Sequence, residues 1–206
     1  MFWRNWSWTV RIRVGLVISF IAFAGVAVNR AVFISEHSGF CPFNLKGIGL
    51  GFLQYVQDYD GKMPPAPSNI GWASAVYPYL QSERIFRCPT RELEGWKYSD
   101  DPRQTAYTDY FLNAQLQNRN LEKSGDVTRL IMVAEGNDGQ DKTDGRYAKP
   151  AIPTKWRSDR TSPSFRHKGG ANYLFADGHV KAFKAADIST NWSANKVYFQ
   201  PKKSQE

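Results

Sequence analysis

Three sets of residues carry side chains able to do chemistry. The first is His167, Asp177 and His179, two imidazoles and a carboxylate near the C-terminal end of the chain. Such a set matches known metal-ligand and acid–base chemistry, although its spacing is not that of a recognised metalloenzyme motif. The competing reading gives Asp177 the backbone bonds of its own turn and leaves His167 to hold the preceding loop. The second set is the acidic loop Glu135, Asp138, Asp141 and Asp144. Its hard oxygen donors at short intervals, Asp138, Asp141 and Asp144 above all, would suit calcium. The alternating ligands and closing glutamate of an EF-hand are missing, so a solvated loop or a surface for a basic partner competes with it. The third set is Cys41 and Cys88, which make either a disulfide closing a long loop or two buried thiols. No Cys-x-x-Cys, Gly-x-Gly-x-x-Gly, Gly-x-Ser-x-Gly or His-Glu-x-x-His occurs in the chain. These absences point away from an enzyme, and no cofactor is expected.

The elements that must position these residues follow from apolar periodicity. Leu45, Ile48, Phe52, Tyr55, Val56 and Tyr59 recur at three- and four-residue spacing and predict a helix over 44–59. Gly47, Gly49 and Gly51 inside it either admit a close neighbour or soften the helix. A short helix is predicted over 72–80, and a polar excursion with little regular structure over 90–128. A doubly buried strand is predicted over 130–134. In Ala171–Phe183 two strand-forming runs flank Asp177-Gly178, a pair favoured for a type I′ hairpin turn. That turn would set Ala176 opposite His179, Phe175 opposite Val180 and Tyr173 opposite Ala182. Tyr173, Phe175, Val180 and Ala182 would then share the core face.

The N-terminal region reads differently. Val14–Ile34 carries one charge, Arg30, and is long enough to cross a bilayer once the arginine stem snorkels. Trp3, Trp6 and Trp8 with Arg11 and Arg13 precede it, as an interfacial anchor requires. Four of the 27 basic residues lie in 1–35, with none of the 19 acidic ones. The positive-inside rule then places the N-terminus in the cytoplasm and the body outside. Ala22-Phe23-Ala24 resembles a signal-peptidase site, but the apolar run continues past it, and a retained anchor is expected. The remaining charge is close to balanced, so no nucleic-acid partner is expected.

Around the hairpin the sequence resembles bacterial pilin-like proteins with a C-terminal H-x9-DG element, here His167 through Asp177-Gly178. Cys41–Pro65, Trp72 with Tyr77-Pro78-Tyr79, Phe86-x-Cys88-Pro89 and Tyr107–Leu116 are similar to that family in the same order. The resemblance implies an N-terminal pilin-type helix and an extracytoplasmic α+β domain. The prepilin leader and its helix glutamate are missing from this chain.

The expectation is therefore an α+β protein: a single N-terminal transmembrane helix, a pilin-like helix and a small antiparallel β-sheet. Its parts are a cytoplasmic N-terminus (1–13), an anchor (14–35), an extracytoplasmic domain (36–200) and a polar tail (201–206). The expected location is the bacterial inner membrane, and the expected role is non-enzymatic. The chain would act as an accessory or scaffold subunit touching lipid and other integral membrane subunits of a respiratory, photosynthetic or secretion assembly. The alternatives are a pseudopilin-like filament or secretion component, and a metal-binding or metal-dependent hydrolase domain.

Overall fold

The computed structural model describes Ser19 and residues 40–65, 71–193 and 195–202. The chain divides into two units, residues 1–39 and 40–206, and the second holds the sheet and the helices that pack on it.

Helix α1 (Phe40–Asp58) buries Cys41, Leu45, Ile48, Phe52 and Tyr55 along one stripe, the alternating three- and four-residue steps of a single helical face. It ends where Asp60 and Gly61 take positive φ and the Gly61 N–H donates to the Val56 carbonyl. Helix α2 (Gly71–Leu80) buries Trp72, Ala73 and Val76. Trp72 stacks on Phe52, meets Phe86 edge-on, and donates its indole N–H to the Tyr147 carbonyl at 2.7 Å. The glycines of α1 are sites of close approach: the position a Cβ would take at Gly49 lies 2.7 Å from Leu174 Cδ1 and 3.6 Å from the Gly178 backbone. A five-residue helix, α3 (Pro89–Leu93), follows Cys88.

Five strands form one sheet: β1 (Tyr110–Asn113), β2 (Ile131–Glu135), β3 (Ala148–Lys149), β4 (Ala171–Phe175) and β5 (Val180–Phe183), in the order β3-β1-β2-β4-β5. Strands β1, β2 and β4 are buried along their whole length. One face (Leu112, Met132, Val133, Leu174) packs on α1 and α2, while the other (Phe111, Ile131, Ala134, Tyr173, Phe175) packs on Tyr147, Trp156 and Phe199. An irregularity in the β2–β4 register between Ile131 and Val133 lets Met132 and Val133 point to the same core. Asn113 ties the C-terminal segment to the sheet, donating from Nδ2 to the Ile131 and Phe199 carbonyls at 2.8 and 2.6 Å.

Several expectations need correction. The sheet is mixed, because β1 and β3 pair in parallel. Strand β1 lies inside the stretch read as irregular, since its four residues are too few to show a period beside the polar sequence around them. The 171–183 hairpin is shifted by one residue, with Leu174 opposite Val180 and Tyr173 opposite Lys181. Only Gly178 of the Asp177-Gly178 pair takes positive φ, and Phe175 N–H donates to the His179 carbonyl, so the turn has three residues instead of two. Leu174 and Val180 consequently face α1, while Tyr173 and Phe175 face the opposite core.

The expected single-pass anchor is also corrected: among the described residues no helix is long and apolar enough to cross a membrane. The expected inner-membrane location and the expected contacts with lipid and integral membrane subunits therefore find no spanning helix among the described residues to rest on. Trp3, Trp6, Trp8, Arg11, Arg13 and Arg30 lie outside the described residues, as does the 14–34 run apart from Ser19.

Asn113→Ala strands two buried carbonyls and should lower unfolding free energy by about 2–4 kcal/mol. Urea denaturation measures this directly, and a loss below roughly 1 kcal/mol would contradict the assigned role.

Candidate metal centre

The sheet and α1 bring together four side chains that are remote in sequence. Cys41 lies in the first turn of α1, Cys88 immediately precedes α3, Glu135 ends β2, and His167 stands before β4. One ligand atom from each lies within 4.8 Å of all the others, and this is the sole metal-capable group of three or more among the described residues. Cys41 and Cys88 are joined as a disulfide, with their Cα atoms 5.4 Å apart. His167 Nε2 lies 3.8 Å from Cys88 Sγ and 2.8 Å from Glu135 Oε1.

Each member is held from outside the cluster. The Glu135 side chain is fully buried. Its Oε2 accepts from the Asn172 backbone N–H at 3.2 Å, and its Oε1 from Asn172 Nδ2 at 3.0 Å. His167 is placed by a reciprocal pair of backbone hydrogen bonds with Gly170, at 2.9 and 3.0 Å. Lys168 and Gly169 between them both have positive φ, the condition for a type I′ turn. The two-residue turn expected at Asp177-Gly178 is thus found one strand earlier, where it aims the imidazole at Glu135. The Cys88 backbone N–H donates to Asp109 Oδ2 at 2.6 Å. Asp109 is itself fully buried and accepts from Asn137 Nδ2 at 2.7 Å and from the Tyr98 hydroxyl. Burial, together with the nearby carboxylates, pushes the Tyr98, Tyr110 and Tyr173 phenols above the ordinary tyrosine range.

The donor set fits a borderline-soft divalent cation. Two thiolates, an imidazole and a carboxylate are zinc ligands, and bond lengths of about 2.0–2.3 Å give tetrahedral edges of roughly 3.3–3.8 Å. The Cys88–His167 separation of 3.8 Å is close to the sulfur–nitrogen edge of such a tetrahedron, about 3.6 Å. Two changes complete the fit. Reduction frees the sulfurs as ligands, and opening the hydrogen bond between Glu135 and His167 frees Nε2.

The sequence-derived sites are distributed differently. His167 joins the cluster, whereas Asp177 and His179 do not. The five residues of β4 separate the two ends of the H-x9-DG element by about 16 Å of strand. His179 Nδ1 contacts Asp177 Oδ1 at 2.6 Å, and its ring stacks on Phe175. The Gly178 carbonyl accepts from Lys46 Nζ at 2.8 Å.

Each aspartate of the acidic loop has partners within the protein. Asp138 accepts from the Gln140 and Asp141 backbone N–H groups and the Trp156 indole. Asp141 takes the Tyr147 hydroxyl and Lys149. Burial opposes ionisation of Asp144, but Arg146 and Lys142 outweigh it and hold its carboxyl below the usual range.

The sequence reading missed Glu135 as a partner of Cys41, Cys88 and His167. The available signal was a carboxylate directly after the apolar run LIMVA, since a charge ending a buried strand must find partners. The expectation of a non-enzymatic body without a functional constellation is corrected by this cluster, and the accessory or scaffold role falls with it.

With folded pKa values above the unfolded value of about 10, Tyr98, Tyr110 and Tyr173 contribute stability that is complete below that pH. It is lost as pH rises further, by roughly 1.4 kcal/mol per unit for each phenol still protonated. An ultraviolet phenolate titration should show these three ionising only as the chain unfolds. Smooth ionisation of every tyrosine near pH ~10 with the fold intact would contradict the described burial.

No protein-family model matches this chain, no curated protein resembles it in sequence, and no solved structure resembles its fold, so the pilin-like resemblance rests on its motifs alone.

Proposed function

We propose that this domain is a metal-binding module of the zinc class whose site opens when an external dithiol reduces the Cys41–Cys88 disulfide to two thiols and is itself oxidised to a disulfide. The observation that carries it is the convergence of Cys41, Cys88, Glu135 and His167 within 4.8 Å. Bonded to each other, the sulfurs lock α1 to the segment leading into α3. As two thiolates they bind metal, so reduction exchanges a covalent link for a coordinate one at the same place. A disulfide closing a loop of this length contributes about 3–5 kcal/mol, and the metal replaces that contribution in the reduced protein.

A metal-dependent hydrolase is the second reading, favoured by the way Asn172 holds both oxygens of Glu135. Cys41, Cys88 and His167 then serve as three ligands with an open fourth position, and Glu135 is a general base beside it. Glu135→Gln separates the two readings. Loss of metal affinity marks Glu135 as a ligand, whereas retained metal with lost hydrolysis marks it as a base.

The reduced protein should take up stoichiometric Zn²⁺ or Co²⁺ with a thiolate-to-cobalt charge-transfer band, and the oxidised protein should take up none. Cys88→Ser and His167→Ala, checked for native circular dichroism, should lose stoichiometric binding. Binding that survives both substitutions, or reduced protein that binds no metal, would refute the proposal. Asn172→Ala should weaken metal binding by about 10–100-fold by freeing Glu135. Unchanged affinity would show that the carboxylate has no part in the site.

A further inference from the structure

Beside the metal centre lies a cavity of about 290 Å³ walled by Arg91, Arg160 and Arg166, with Asn137, Glu94 and Asp138 also on its surface. The protein leaves several of the guanidinium donors unmatched. Arg91 Nε and Nη2 and Arg166 Nη1 are buried without a hydrogen-bond partner. Arg91 has its plane over the Trp96 ring, 4.1 Å from the centroid, and its one carboxylate neighbour, Glu94, stands 3.7 Å away. Arg166 is anchored through Nη2, which donates to the Gly136 and Asn137 carbonyls at 2.6 and 3.0 Å. Asp138, the other acid on the wall, is already occupied by Gln140, Asp141 and Trp156.

A second cavity, of about 550 Å³, shares Arg160 and Phe165 with the first and adds Lys168 and Lys184. Between them the two cavities are lined by five cations, Arg91, Arg160, Arg166, Lys168 and Lys184. Buried N–H groups without acceptors are costly, and charge-assisted, bidentate bonds from arginine to phosphate-like oxygens are the strong way of satisfying them. Arg91 lies three residues after Cys88, and Arg166 directly precedes His167, so the same two segments that supply metal ligands also build this wall.

We propose that the arginine-walled cavity is a binding site for a tetrahedral oxyanion, a phosphate or sulfate group, with Arg91, Arg160 and Arg166 as its donors. The site is complete in the oxidised protein and does not require the metal.

The test is calorimetric titration of the oxidised, metal-free full chain with inorganic phosphate, sulfate and acetate at fixed ionic strength. Saturable binding of phosphate or sulfate, weakened about tenfold or more by Arg91→Gln and by Arg160→Gln, is the expected result. Phosphate bound more tightly than sulfate identifies a phosphoryl ligand, and the reverse order a sulfuryl one. Arg160 is exposed and makes none of the described internal bonds, so its variant tests the site without disturbing the fold. No saturable binding, acetate bound as tightly as phosphate, or affinity unchanged in both variants would overturn the proposal. Because the protein in this experiment carries no metal and an intact disulfide, its failure leaves the metal-centre reading to be judged separately.

Discussion

A carboxylate without solvent exposure at the end of the central strand is the constraint around which the domain is organised. Glu135 must be met by donors or it cannot stay buried. Asn172 supplies two of them from the neighbouring strand, and His167 Nε2 shares a hydrogen bond with Oε1. Meeting that demand fixes the β2–β4 register at this end of the sheet. It also requires the backbone to turn back between His167 and Gly170 so that the imidazole can reach. Once the imidazole is there, the two sulfurs are its immediate neighbours.

The surrounding polar groups extend the same logic outward. Asp109, also buried, orients Cys88 through the backbone N–H and is satisfied in turn by Tyr98 and Asn137. Arg166 binds the carbonyls of Gly136 and Asn137, which links the loop leaving Glu135 to the residue beside His167. The charges near the centre are thus arranged in opposed layers: carboxylates around the sulfurs and imidazole, guanidinium groups one step further out. The inner layer suits a cation and the outer one an anion.

Much of the scaffold was legible in the sequence. The stripe through Leu45, Ile48, Phe52 and Tyr55 announced α1, and the apolar run ending at Ala134 announced β2, because both patterns are set by local periodicity. The hairpin was visible but misregistered, since a pair of residue types favours a turn without fixing whether Asp177 adopts positive φ. The site was much harder to read. Its members stand at positions 41, 88, 135 and 167, and only the tertiary fold closes those gaps. His167 drew attention for its chemistry and was paired with Asp177 and His179 on sequence proximity, which a buried strand then separated. In the acidic loop Arg146, Lys142 and Lys149 fold back onto the carboxylates, pairings that the local density of acids does not encode.

Zinc-edge X-ray absorption on the reduced, zinc-loaded protein reads the ligand shell itself. Coordination by Cys41, Cys88, His167 and Glu135 gives a shell of two sulfurs at about 2.3 Å and two nitrogen or oxygen donors at about 2.0–2.1 Å. A shell made of nitrogen and oxygen alone, or a spectrum indistinguishable from aqueous zinc, would contradict it.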